Sequence, residues 1–313
     1  MKYVVLFVLL LCIIANASHS ISFLQLPNID EVQPTLIGGT PVDPKKFPAV
    51  LYTRQGGSRC TSTLIGDRTL ITASHCVDDG GSAQFTIAGV NYSSKCNHHP
   101  DYDNNQTADW ALCYVDKSVK NVNFESLSMN SAIPKVGEQI LLTGYGCIKE
   151  GGGGGNDGIL RIGHVEVIKT PNNGNWDIVT KGKTALCFGD SGGPAFYESN
   201  GKRWQISVNS RGNIKDTSYL SKTLANPVFS DWIAKWAANH STNICGVSGY
   251  NCFKDNPQPT LEPRPDPTNG PIDPKDGADP SDSNLLGWLL IVGGLFVFFM
   301  IVYLIDKIRK KTA

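Results

Sequence analysis

Cys187-Phe188-Gly189-Asp190-Ser191-Gly192-Gly193-Pro194 sets one serine among glycines, with an acid before it and a proline two residues beyond the next glycine. Glycine lets the backbone turn tightly and approach a ligand closely. Successive N–H groups in such a turn can point at one spot. There they would hold the oxyanion of a tetrahedral intermediate while the serine hydroxyl attacks. A plain Gly-rich turn would account for the glycines alone, but the eight-residue string is far more specific. A serine hydroxyl is a weak nucleophile without a base, so the chain should supply one, and a third group to orient it.

Two upstream strings meet that need. His75 lies in Thr72-Ala73-Ser74-His75-Cys76, and Asp109 in Thr107-Ala108-Asp109-Trp110-Ala111-Leu112-Cys113. An aspartate entering an apolar strand is costly unless it has a buried partner. Asp101 and Asp103 sit in a polar loop and Asp116 follows the strand, so they are weaker candidates. The three strings resemble the histidine, aspartate and serine segments of the chymotrypsin/trypsin-like serine proteases. The order His75, Asp109, Ser191 matches that family and not the subtilisins or α/β-hydrolases. Trp110, where the family has an aliphatic residue, is a mild departure. The resemblance covers residues 37–242. It implies an all-β fold of two six-stranded antiparallel β-barrels with a C-terminal helix. It also implies that His75 is the general base, that Asp109 orients it, and that the N–H groups of Gly189 and Ser191 form the oxyanion hole.

Leu36-Ile37-Gly38-Gly39-Thr40 resembles the family's propeptide junction. Cleavage after Leu36 would free an ammonium on Ile37, which needs a buried carboxylate. The resemblance makes Asp190 that carboxylate. The pocket implied by the family has Ala185 at its base, with Asn209, Arg211, Gly212, Asp216 and Thr217 along its walls. Alanine carries no charge, so an uncharged or apolar residue before the cut bond is expected. Asp216, if it points inward, gives the alternative of a basic preference. Leu36 fits the apolar preference if the enzyme activates itself. Partners are therefore protein or peptide substrates and an activating protease, for which the enzyme itself is one candidate.

Of the nine cysteines, Cys12 lies in an apolar leader and eight remain, an even number that suits an oxidising compartment. Cys60 and Cys76 flank a β-hairpin turning at Gly66-Asp67-Arg68. Cys96 and Cys113 share one segment, although Cys113 has other options. Cys245 and Cys252 have six residues between them. The resemblance places Cys147 near Cys187, since no cysteine follows the Val208 strand to take the family's usual role.

The chain outside this region has its own organisation. Residues 1–17 read as a signal peptide, with an apolar run from Val4 to Ile14 and a small-x-small site at Ala15-Asn16-Ala17. Residues 18–36 read as a propeptide. Val228, Trp232, Ile233, Trp236 and Ala237 recur at helical spacing. Residues 243–284 hold the last cysteine loop and a Pro-rich spacer. Residues 285–305 are uncharged, and as a helix would span about 31 Å, near a bilayer core. The basic tail 306–313 favours the cytoplasmic side, leaving residues 37–242 extracytoplasmic, on the periplasmic or cell-surface side.

Net charge is +0, which gives no electrostatic case for nucleic acid. His98 and His99 are adjacent, so their side chains diverge and suit a solvated polar loop better than a metal site. No metal or cofactor is expected. Gly151 to Gly155 lack the Gly-Lys-Ser/Thr of a phosphate loop and read as a mobile loop beside the cleft. The competing function is a catalytically silent protease fold acting as a membrane-tethered binding module.

Overall fold

A computed structural model describes residues 36–128, 133–222 and 227–252. The signal peptide, most of the propeptide, the Pro-rich spacer, the apolar segment 285–305 and the basic tail lie outside these residues. Thirteen strands, one α-helix and two short 3-10 turns make up the regular structure of the described residues.

Six antiparallel strands close the first barrel. Its strands are β2 (Val50–Gln55), β3 (Ser58–Gly66), β4 (Thr69–Thr72), β5 (Ser82–Ile87), β6 (Val90–His98) and β7 (Ala111–Val115). The alternation in β5 buries Ala83 and Phe85 and leaves Ser82, Gln84 and Thr86 exposed, the period expected of a strand with one wet face. The stretch up to His98, expected to belong to a polar loop, is instead a barrel strand. Ser94 and Cys96 face inward, and the polar residues between cover the outside. Ala88 and Gly89, both at positive φ, make the tight turn that joins it to β5.

The second barrel comprises β8 (Gln139–Gly144), β9 (Arg161–Lys169), β10 (Asp177–Lys181), β11 (Pro194–Ser199), β12 (Lys202–Gly212) and β13 (Thr217–Lys222). It closes through pairing of β8 with both β9 and β11, and the short β1 (Thr40–Pro41) adds to β9. Its core holds Ile140, Leu142, Val165, Ile178, Ile206 and Leu220. Arg203 and Glu125 are buried together, with the Arg203 Nε donating to Glu125 at 3.0 Å and the guanidinium lying over Phe47 and Phe196. Paired and hydrogen-bonded, these charges escape the cost of isolated burial.

Helix α1 (Pro227–Asn239) packs on the first barrel. It buries Phe229, Ile233 and Trp236 and packs the partly buried Trp232 and Ala237 against the same core, so the face read from the spacing is the inner one, with Phe229 added and Val228 at its edge. His99 is not solvated: it is wedged between the rings of Trp110 and Trp232. Burial there lowers its pKa.

The four expected disulfides form: Cys60–Cys76, Cys96–Cys113, Cys147–Cys187 and Cys245–Cys252. Among the described residues no helix is long and apolar enough to cross a membrane.

Candidate active site

His75 lies in a single 3-10 turn, Ser74–Cys76, just after β4, and not in the extended run its sequence suggested. The Cys60–Cys76 bond ties that turn to β3. Asp109 sits two residues before β7, and Ser191 three residues before β11. His75, Asp109 and Ser191 line one cavity of about 360 Å³, so loops from both barrels converge on it.

Asp109 is buried, and its carboxylate is fully occupied. Its Oδ2 accepts from His75 Nδ1 at 2.6 Å and from Ser210 Oγ at 2.6 Å, while Oδ1 accepts from the His75 backbone N–H at 3.0 Å. Burial alone would favour the neutral acid. The hydrogen bonds and charge of His75, with help from Ser210, outweigh it and lower the Asp109 pKa. For His75, burial disfavours the imidazolium. The hydrogen bond and charge of Asp109 more than offset this and raise the pKa, while Arg211 opposes them. Binding Nδ1 to a carboxylate fixes the ring tautomer that leaves Nε2 free to take a proton. Ser191 shares no hydrogen bond with His75 Nε2 here, and such contacts commonly tighten only when substrate binds.

The serine turn depends on its glycines. Gly189 has φ of 103°, and a Cβ there would meet Gly146 and the Asn156 side chain. Cβ atoms on Gly144 and Gly146 would collide with the Asp190 carboxylate. That carboxylate is wholly buried and accepts from the N–H of Gly146 at 2.8 Å and of Cys187 at 2.9 Å. Burial pushes its pKa up to about 7, against the pull of the two N–H groups and the Arg161 charge.

Leu36, expected as the last residue of a departing segment, belongs to the second-barrel core beside Ile140, Leu142 and Leu186 and is fully buried. Ile37 packs with Cys147, Ala185 and Cys187, and its carbonyl accepts from Ala185 N–H at 2.9 Å.

Four pocket assignments change, those of Ala185, Asn209, Asp216 and Thr217. Ala185 is buried and does not line the cavity; Ile214 does, and packs on the cluster holding Ala185. Asn209 also turns away. Its amide donates to the carbonyls of Thr143 at 3.0 Å and Asp190 at 3.2 Å, propping the serine turn from behind. Asp216 does not point inward. It accepts from Asn213 at 2.7 Å and Thr217 Oγ1 at 2.9 Å, and lies 3.7 Å from Lys181, so the basic-pocket alternative loses its acid. Asn213 and Lys181 supply donors on the rim, which holds the carboxylate there, and Thr217 is engaged with Asp216. Arg211 and Gly212 do line the cavity, and Arg211 pairs with the buried Asp177 and lies over Tyr219.

The Gly151–Gly155 run is a folded turn. Ile148 and Lys149 both donate to Gly153, Gly151 donates to the Ile214 carbonyl at 3.2 Å, and Lys215 pairs with Glu150 at 3.3 Å. Positive φ at Gly151, Gly152, Gly154 and Gly155 explains the composition as a conformational requirement. Ser210, Tyr102, Gln106 and Ile214 were not legible as site residues. Only their place in the closed barrels reveals them.

Two closed antiparallel barrels with this histidine, aspartate and serine at one cavity define a chymotrypsin-like protein. The chain belongs to the trypsin family, whose model, described as Trypsin, matches residues 36–233. It is 26% identical to a trypsin-like protease of Streptomyces glaucescens, covering 57% of this chain and 73% of that one. It is 29% identical to transmembrane protease serine 11E of Mus musculus, covering 51% of this chain and 44% of that one. It is 28% identical to trypsin beta of Drosophila erecta, covering 46% and 62%. A solved mutant of human heparin binding protein shares the fold, with a TM-score of 0.53 and 20% identity over 65% of this chain and 96% of that one.

Proposed function

We propose that this chain is a serine endopeptidase that cleaves peptide bonds through an acyl-enzyme. The observation that carries the reading is the Asp109 carboxylate, which holds His75 Nδ1 at 2.6 Å at a cavity shared with Ser191. In this mechanism Ser191 Oγ attacks the scissile carbonyl and His75 Nε2 takes its proton. Asp109 stabilises the imidazolium. The N–H groups of Gly189 and Ser191 hold the oxyanion; losing such a donor costs about 3–4 kcal/mol. His75 then gives the proton to the leaving amine, and water, deprotonated by His75, releases the acyl group.

The residue before the cut bond is proposed to be small and apolar. Ile214 and Leu186 supply apolar wall, and Asp216, the acid that would have favoured a basic residue, is engaged with Asn213, Thr217 and Lys181. Activation is proposed to follow cleavage of the propeptide, with the freed amine reaching Asp190. The burial of Leu36 moves the favoured bond from Leu36–Ile37 to Thr35–Leu36. Leu36 has φ of 57°, unfavourable for a bulky residue, and an N-terminal residue has no such constraint. Self-activation through an apolar Leu36 then has no support. The signal peptide, extracytoplasmic placement and tether at 285–305 are proposed from the sequence alone.

Incubation of the chain with a serine-reactive phosphonate, before and after propeptide cleavage, tests the reading. Labelling of Ser191 after cleavage is expected. A cleaved, folded protein that takes no label at Ser191 would point to the silent binding module.

A further inference from the structure

Besides Asn209, the serine turn is held from the first barrel by a residue that has no place in the reaction so far. Thr61, on β3 of the first barrel, is fully buried. Its Oγ1 donates to the Gly189 carbonyl at 2.8 Å, and its backbone N–H donates to the Ser191 carbonyl at 2.9 Å. Its Oγ1 also accepts from the Tyr145 N–H at 3.1 Å. The direction of the hydroxyl proton follows from these partners. Tyr145 N–H can only donate and a carbonyl can only accept, so the proton lies toward Gly189. We propose that the Thr61 hydroxyl is a positioning residue that fixes the oxyanion hole, acting across the barrel interface through the Gly189 carbonyl. The proposal rests on the peptidase reading above.

The argument concerns one peptide plane. The two proposed oxyanion donors, Gly189 N–H and Ser191 N–H, flank the Gly189–Asp190 peptide. If that plane rotates, the two N–H groups no longer converge on one point. Gly189 at φ of 103° has the freedom to let it rotate. Two hydrogen bonds oppose this. The carbonyl of the plane is taken by Thr61, and its N–H, from Asp190, donates to the Cys187 carbonyl at 3.1 Å. Close packing reinforces the grip, because a Cβ on Gly193 would sit 2.9 Å from the Thr61 methyl. Thr61 touches neither the reacting atoms nor the cavity, so its effect should fall on the transition state and spare ground-state binding.

The test compares Thr61→Val, which keeps the shape and loses the hydroxyl, with Thr61→Ser, which keeps the hydroxyl. Both are made in the full chain and cleaved. Thr61→Val should lower kcat by about 10- to 100-fold with KM within about twofold, as for loss of an aligned oxyanion donor. The affinity of a peptide boronate, which mimics the tetrahedral adduct, should fall in parallel, and Thr61→Ser should stay within about threefold of wild type. Thr61→Val with unchanged kcat, or a Thr61→Ser variant as impaired as Thr61→Val, would overturn the proposal. If Thr61→Val does not fold, Thr61→Ala is read in the same way. A crystal structure of the hydroxyl-less variant gives a readout independent of activity. The Gly189 carbonyl should turn from its present direction, and an unmoved turn overturns the proposal even if wild type proves silent. Absence of phosphonate labelling in wild type is instead the failure of the peptidase reading.

Discussion

Ser210 Oγ donates to Asp109 Oδ2 at 2.6 Å, the same oxygen that His75 Nδ1 reaches from the other barrel. The second barrel thus holds the acid that binds the first barrel's histidine. The hydroxyl is one of the donors that keep the buried Asp109 ionised. A hydrogen bond to a charged group is worth about 1.5–3 kcal/mol. Ser210→Ala is therefore expected to lower kcat/KM by roughly tenfold or somewhat more, and Asp109→Asn, which loses the tautomer lock, by about 10⁴-fold. Steady-state kinetics on a peptide amide would check both. A Ser210→Ala enzyme equal to wild type would mean the backbone and His75 contacts suffice.

Arg211 is a cavity-lining cation that disfavours the His75 imidazolium. Removing its charge lets His75 hold its proton to higher pH. Activity needs neutral His75, so the acidic limb of the kcat/KM profile is expected to move to higher pH in Arg211→Gln. A limb that stays in place, or moves down, would remove Arg211 from the electrostatics of the base.

Asp190 gives the uncleaved chain an unusual dependence on pH. Its folded pKa, raised to about 7, lies above the unfolded value of about 3.9. The folded state therefore binds the proton more tightly. Its contribution is fully present below about pH 4 and is lost as pH rises through about 7. The uncleaved wild type should lose stability relative to Asp190→Asn over that interval, measured by urea unfolding of both proteins. Once a freed amine pairs with the carboxylate, the pKa drops and that loss should disappear. A difference between the two uncleaved proteins that is flat from pH 4 to 8 would show that Asp190 stays ionised without the amine.

Ile214 covers the cluster of Ile37, Cys147, Ala185 and Cys187 and faces the cavity. Ile214→Gly should deepen the pocket, and glycine also suits the positive φ at this position. A peptide-library profile is expected to shift from small aliphatic toward larger apolar residues before the cut. Dominant cleavage after Lys or Arg in the wild type would refute the uncharged pocket, and an unchanged profile in the variant would refute the role of Ile214.

The serine string, the histidine string and the aspartate in its apolar setting were readable because each is local. Glycines around Ser191, a hairpin before His75 and a charge among apolar residues are patterns within about ten residues. The Cys60–Cys76 and Cys245–Cys252 pairs were readable for a related reason, since a hairpin and a short loop bring their cysteines together, whereas Cys147–Cys187 came only from the resemblance. The pocket was not readable, because its walls come from segments far apart in the chain. The spacing that put Asp216 in the pocket could not show that Asn213, Thr217 and Lys181 would hold it on the rim. The stretch up to His98 looked like a loop because a barrel strand with a wet face carries many polar residues.

What the amino-acid sequence determined by itself, then, is the serine, histidine and aspartate strings and, through the family they resemble, the two-barrel class. The tertiary structure alone decided that Leu36 is core, that Ile214 and not Ala185 meets the cavity, and that Thr61 grips the Gly189–Asp190 peptide. Side-chain direction and hydrogen-bond partners across two closed barrels depend on strand register and closure, which join residues far apart in the chain, 128 positions in the Thr61–Gly189 bond.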